Sequence, residues 1–228
     1  MSMIDWTKAE AELDAHGCAL LPRLLDGGTC AILRDGWERR DAFRSEVIMA
    51  RHGFGQGAYR YYDDPLPEPV GALRAALYPP LARIANRWAA ALGTPGFPEI
   101  HADFLARCHA AGQKQPTPLL LRYEAGDWNA LHQDLYGPHV FPLQVAMLLS
   151  EPGRDFTGGE FVLTEQRPRQ QSRAEVVPLR QGDAVLFPVR ERPVRGARGR
   201  HRRGMRHGVS RVRSGLRFTL GLIFHDAL

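Results

Sequence analysis

From residue 116 onward the chain breaks into short runs that alternate apolar and polar residues, each closed by Gly, Pro or Asp. Runs of period two are strands with one buried face. Eight are legible, at residues 117–124, 129–135, 140–149, 159–165, 175–180, 183–188, 206–212 and 216–225. Eight strands so punctuated suit a jelly roll of two packed sheets. Residues 1–115 have a different texture. Asp5 stands where it can cap a helix running to about residue 15, with Trp6, Ala9 and Leu13 on one stripe. Residues 18–21 read as a short strand, and Asp26 is placed to cap a second helix to about residue 42. The Gly- and Tyr-rich stretch 51–62 reads as loop or hairpin. Pro79-Pro80 precedes an expected helix over about 81–92, ended by Gly93 and Pro95, and a further helix is expected over 100–110. The expected class is α+β: a double-stranded β-helix (jelly roll) core at 116–228, resting on N-terminal supporting helices in 1–115. No linker separates the two parts, so residues 1–228 are expected to form a single domain.

Composition narrows the setting. Apolar residues make up 44% of the 228, ample for a core, and no apolar run approaches the ~18 to 20 residues that cross a bilayer. Cys18, Cys30 and Cys108 form neither a CxxC pair nor an even framework, which argues against a disulfide scaffold or a zinc knuckle. Acidic and basic residues in the first sixteen positions leave no apolar stretch of the secretory kind. Reduced thiols in the cytoplasm are the expected setting.

Two residues of the second expected strand carry chemistry. Side chains two apart on a strand share a face, so His132 and Asp134 present an imidazole and a carboxylate side by side while Gln133 points away. His207, expected to open the seventh strand, supplies a second imidazole. Two histidines and one carboxylate form the facial triad that holds non-haem Fe(II) and leaves other positions open. A barrel of the cupin kind holding another divalent metal is the alternative these residues leave. Arg217 opens the eighth expected strand, where alternation points it inward, and its planar fork suits the far carboxylate of a keto-acid. Arg211 and Arg213 are rivals for that role.

The segment Arg122-Tyr123-Glu124-Ala125-Gly126 through Leu131-His132-Gln133-Asp134 resembles the RYxPGxxxxLHQD stretch of the AlkB family of nucleic-acid dealkylases. The later stretches Gly158-Gly159-Glu160-Phe161, Gln181-Gly182-Asp183 and His207-Gly208-Val209-Ser210 look more like the prolyl hydroxylases. The resemblance covers roughly residues 117–226 and is to the Fe(II)- and 2-oxoglutarate-dependent dioxygenase superfamily. It implies that His132, Asp134 and His207 hold Fe(II), that Arg217 and Tyr123 bind 2-oxoglutarate, and that dioxygen is the co-substrate. It also implies hydroxylation of a substrate C–H bond with release of succinate and CO2. The departures from AlkB matter: its second arginine, six residues after the first, is Ile223 here, its Asn between them is Leu220, and its acids just after HxD are replaced by Leu135-Tyr136-Gly137.

The formal net charge of +5 is unevenly spread. Residues 190–217 hold Arg190, Arg192, Arg195, Arg198, Arg200, Arg202, Arg203, Arg206, Arg211, Arg213 and Arg217 against one acid, Glu191. With Pro193, Gly196, Gly199 and Gly204 among them, residues 189–206 are expected to be a basic loop over the metal mouth, neither a helix nor a long strand. Arg195, Arg198, Arg200, Arg202 and Arg203 are then candidate phosphate contacts, since clustered arginines release counterions from a polyanion. Tyr136, two residues past Asp134, is the leading candidate for another substrate contact. Tyr59, Tyr61 and Tyr62 suit either base stacking or hairpin packing. His139, His201 and His225 read as surface histidines, Glu160 as part of a turn into a strand, and Asp183 as a turn acid. The preferred reading is oxidative dealkylation of alkylated nucleic acid, as in DNA repair. The alternative is hydroxylation of protein side chains (prolyl-type) or small molecules, and a non-catalytic binding module is disfavoured by the complete triad.

Overall fold

The computed structural model describes residues 4–166, 170–196 and 199–228. Helix α1 (Trp6–His16) starts where the Asp5 side chain accepts the Lys8 N–H and stops at Gly17, whose φ of 84° only glycine adopts freely. That glycine also permits a close approach: a Cβ there would lie 2.8 Å from the Met205 methyl and 3.0 Å from Arg192 Nε. The chain continues through β1 (Ala19–Leu21), α2 (Gly27–Asp35), β2 (Phe43–Ile48), β3 (Gly55–Gln56) and β4 (Ala58–Tyr62), then α3 (Glu68–Leu92) and α4 (His101–Ala110). Eleven strands follow: β5 (Leu119–Tyr123), β6 (Trp128–His132), β7 (Leu143–Leu148), β8 (Phe156–Gly158), β9 (Phe161–Gln166), β10 (Arg173–Val177), β11 (Ala184–Pro188), β12 (Glu191–Gly196), β13 (Gly199–Val209), β14 (Val212–Gly215) and β15 (Arg217–Ile223).

Two sheets face each other. The larger runs β1-β11-β7-β15-β5-β4-β2; the smaller runs β10-β9-β13-β6-β3, with β12 added on β13. All pairings between named strands are antiparallel, as a jelly roll requires. The central strand β15 is buried along its whole length because both its faces are covered. Phe218, Leu220 and Leu222 pack under the helices with Leu77, Leu81 and Ile84 of α3. Arg217, Thr219, Gly221 and Ile223 alternate with them and line the cavity between the sheets, opposite Val209 and Phe161.

Residues 1–115 are chiefly helical, and β1, β4 and β2 from this part also extend both edges of the larger sheet. Three expectations about the scaffold change. The second helix ends at Asp35, and two 3-10 turns, Gly36–Glu38 and Arg40–Ala42, lead into β2. Helix α3 begins at Glu68 and runs through Pro79 and Pro80. An interior proline costs about 3 kcal/mol, but this helix buries Val70, Leu73, Leu77, Tyr78, Leu81 and Trp88, each contributing roughly 1.5–3 kcal/mol. Lastly, the arginine-rich loop expected at 189–206 is an antiparallel hairpin wherever it is described: β12 pairs with β13, Glu191 opposite Gly204 and Gly196 opposite Gly199. Gly196, Gly199 and Gly204 all pair within the ladder and do not interrupt it.

All three cysteines are buried and unpaired. Among the described residues no helix is long and apolar enough to cross a membrane.

Candidate active site and metal centre

The register of the smaller sheet creates the centre. His207 on β13 stands directly opposite His132 at the end of β6, which brings the two rings to 4.1 Å at a tilt of 46°. His207 is thus near the end of a long strand and does not open one, as the sequence had suggested. Asp134 lies two residues beyond the end of β6, with Oδ1 3.6 Å from His132 Nε2 and Oδ2 3.3 Å from His207 Nε2. One ligand atom from each of the three side chains falls within 4.8 Å of the others. Phe187 and Phe161 wall the far side of His207, at ring separations of 4.8 and 6.0 Å.

Protonation suits a cation. The Nδ1 of His132 is 2.8 Å from the Ala130 carbonyl, which only accepts, so Nδ1 carries a proton and Nε2 is the ring atom that faces Asp134. Burial lowers the His207 pKa, and the neighbouring His132 adds to that against the pull of Asp134, so the ring favours its neutral, ligating form. Burial works against ionisation of Asp134, but the His207 hydrogen bond and the two imidazoles outweigh it and hold the carboxyl well below its usual range. Two imidazole nitrogens and a carboxylate oxygen, buried at His207 and Asp134 and half-buried at His132, fit Fe(II).

Gln133 does point away. Its Nε2 donates to the carbonyls of Arg190 and Met205 at 2.9 and 2.8 Å, clipping the centre to the base of the β12–β13 hairpin.

Behind the triad a narrow cavity runs between the sheets to Arg217. This guanidinium is 1% exposed, and burial lowers its pKa to about 10. Its NH1 donates to Thr219 Oγ1 at 2.5 Å, while its Nε has no partner. A buried cation without a bound carboxylate is costly, and an anion entering the cavity would relieve that cost. The Tyr123 and Phe156 rings hold the guanidinium at 5.5 and 5.8 Å, and Gly159, at φ 63°, leaves room where a Cβ would sit 2.9 Å from Arg217 Cδ. Tyr123 is fully buried in the same cavity and its hydroxyl accepts from Asn129 Nδ2 at 3.3 Å. Arg211 and Arg213 are exposed, which removes both rivals.

On the other side of the triad an outer pocket is bounded by Phe54, Tyr59, Leu121, Leu131, Gln133 and Tyr136. Of the described residues that line it, only His132, Asp134 and the phenols of Tyr59 and Tyr136 can ionise. Tyr136 is at this pocket, but its hydroxyl donates to Asp134 Oδ1 at 2.8 Å. Of the three nearby tyrosines, Tyr59 lines the pocket, Tyr61 donates to Tyr136, and Tyr62 is buried against Phe43.

Strand alternation sorts the hairpin arginines. Arg192 and Arg203 face inward and both meet Glu165, at 2.5 Å each, and Arg192 also donates to the Asp14 carbonyl at the end of α1. Arg203 is therefore part of an anchor and not a free phosphate contact. Arg200, Arg202 and Arg206 fall on the opposite strand face from His207. They are exposed, with Arg195 across from Arg200; Arg202 pairs with Glu191 at 2.5 Å. Arg198 lies outside the described residues. His139 and His201 are exposed as expected, and Asp183 accepts the Arg23 and Arg180 N–H groups as a turn acid should. Glu160 is exposed beside Ser210. His225 is not a surface residue: it is fully buried, accepts from the Phe141 N–H, and burial lowers its pKa to about 4.

Sequence reasoning missed Thr219, Asn129 and Phe54. Thr219 had a signal, two residues past Arg217 on the same strand face. Asn129 had none, because a bulge between β6 and β13 breaks the parity that would have revealed it.

Residues 57–227 match the Oxygenase-NA family, described as an oxygenase catalysing oxidative methylation of damaged DNA. The chain belongs to the Oxygenase-NA family. Two uncharacterised proteins from Mycobacterium tuberculosis strains are 54% identical to it over 164 residues, covering 72% of this chain and 70% of theirs. The fold is similar to an oxidoreductase of the 2OG-Fe(II) oxygenase family from Burkholderia pseudomallei (TM-score 0.56, 19% identity, 99% of this chain and 94% of that one). It is also similar to a Trichoplax adhaerens prolyl hydroxylase in complex with a hypoxia inducible factor peptide (TM-score 0.57, 14% identity, 97% and 89%). The family is one of oxygenases, and the likeness to the two solved structures shows that this Oxygenase-NA member shares their fold.

Proposed function

We propose that the protein removes alkyl groups oxidatively from nucleic acid. His132, Asp134 and His207 hold the Fe(II), and Arg217, with Thr219 beside it, takes the distal carboxylate of 2-oxoglutarate. When bound, Fe(II) with dioxygen and 2-oxoglutarate would supply the oxidation: one oxygen atom goes to the substrate C–H and the other to succinate as CO2 leaves, and the hydroxylated alkyl group departs as an aldehyde. The chain's own contribution is placement: the cavity behind the triad orients the co-substrate, Phe161 and Phe187 keep water from His207, and the outer pocket presents the target. Residues 1–228 act as one domain, 1–115 supporting the core at 116–228.

The observation that carries the nucleic-acid reading is the family match over residues 57–227, whose description names damaged DNA. The outer pocket agrees with it, since apolar and aromatic walls without charge suit a flat, uncharged base lifted from its strand. Exposed Arg195, Arg200 and Arg206 offer charge to the phosphates. The test is succinate release with methylated oligonucleotides, peptides and free metabolites compared side by side. Stimulation by methylated oligonucleotides alone is expected; stimulation by peptides or metabolites alone would replace the reading with a protein or small-molecule hydroxylase.

A further inference from the structure

The ligands differ in how the fold holds them. His132 and His207 are on paired strands, but Asp134 has left β6 and no ladder fixes it. A carboxylate on a loop is free to turn and to offer a cation one oxygen, the other, or both. Here a chain of two phenols removes that freedom. Tyr136 donates its hydroxyl to Asp134 Oδ1 at 2.8 Å, and Tyr61 donates its own to the Tyr136 oxygen at 2.9 Å. A phenol has one proton, and a carboxylate only accepts, so the order Tyr61 to Tyr136 to Asp134 is fixed.

Both phenols are themselves held. Tyr61 is on β4 in the larger sheet, under the Arg44 guanidinium at 4.5 Å and edge-on to Tyr59 at 5.4 Å. The Tyr61 and Tyr136 rings meet edge to face at 6.1 Å, and the Tyr136 carbonyl accepts the Leu228 N–H. The chain therefore ties a loop ligand of the smaller sheet to the frame of the larger one.

We propose that Tyr136 is a positioning residue for the metal, with Tyr61 as its support. By occupying Oδ1, Tyr136 sets the plane of the carboxylate and leaves Oδ2, the oxygen facing His207, for the cation. Partners that orient a ligand in this way change metal affinity typically ten- to a hundredfold.

The proposal rests on Asp134 being a ligand, and calorimetric titration of the metal-free protein with Mn(II) separates the two ideas. Tyr136→Phe keeps the ring and loses the donor; its Mn(II) dissociation constant is expected to rise at least tenfold with the melting temperature close to the parent's. Tyr61→Phe is expected to give a smaller rise, and none beyond that of Tyr136→Phe when the two are combined, because Tyr61 acts through Tyr136. Asp134→Ala is expected to lose Mn(II) binding. A dissociation constant for Tyr136→Phe within twofold of the parent, while Asp134→Ala loses the metal, overturns the positioning role alone. Undiminished binding by Asp134→Ala overturns the ligand assignment beneath it. Equal losses from Tyr61→Phe with and without Tyr136 would overturn the ordered chain.

Discussion

Arg217 is buried with one hydrogen bond and an unpartnered Nε, so the fold keeps a cation where it does least for stability. Replacing such a charge by an apolar side chain of similar length is often neutral or stabilising by about 1–4 kcal/mol. Arg217→Met is therefore expected to unfold at the same denaturant concentration as the parent or a higher one, while 2-oxoglutarate binding, measured by calorimetry with Mn(II) present, falls at least a hundredfold. A variant that is much less stable yet binds 2-oxoglutarate normally would make Arg217 a structural residue. This role was legible because Arg217 heads an alternating apolar strand. That of His225 was not: the Phe141 N–H that donates to its buried ring is 84 residues away in the chain.

At the level of elements, the hairpin β12–β13 divides its arginines by face. The inner pair meets Glu165, which is 1% exposed, so its removal leaves Arg192 buried beside no described carboxylate. Glu165→Ala is expected to destabilise the protein by about 3–5 kcal/mol in chemical denaturation; a loss below 1 kcal/mol would mean that the hairpin does not depend on this anchor. The outer arginines are expected to act on nucleic acid without a stability role. Changing Arg195, Arg200 and Arg206 to Ser should reduce the slope of log affinity against log salt by about 2 for a single-stranded oligonucleotide. An unchanged slope would remove the hairpin from the binding surface. Composition alone suggested a loop here because Gly and Pro mark breaks; the ladder with β9 and β6 overrides that local preference.

Across the whole molecule, the jelly roll and the meeting of its three ligands followed from period-two runs and from an HxD pair with a distant histidine. What the sequence could not carry was the extent of the larger sheet. Strand β1 was expected at residues 18–21, but its pairing with β11, like that of β4 with β5, is long-range, and β2 comes from a region whose capped helices dominate the local pattern. Burial of tyrosines adds a global property. Tyr61, Tyr62, Tyr78, Tyr123 and Tyr136 all titrate above the usual value of about 10 because desolvation disfavours the phenolate. An acid whose folded pKa is raised contributes stability below its unfolded pKa and loses it as pH climbs. Arg217 opposes this trend, its buried charge being relieved above about 10, but it is one group against six phenols, since burial raises Tyr59 as well. Stability measured by urea unfolding is thus expected to be insensitive to tyrosine between pH 7 and 9 and to fall above about pH 10; a rise above that pH would contradict the burial of these phenols.

The most direct test of the account is anaerobic titration of Fe(II) into the metal-free protein with 2-oxoglutarate present, comparing the parent with His207→Ala. One iron per chain is expected for the parent, and at least tenfold weaker binding for a His207→Ala protein that remains folded. Equal affinity in the two proteins would contradict it, because β13 would then contribute nothing to the centre on which every functional statement depends.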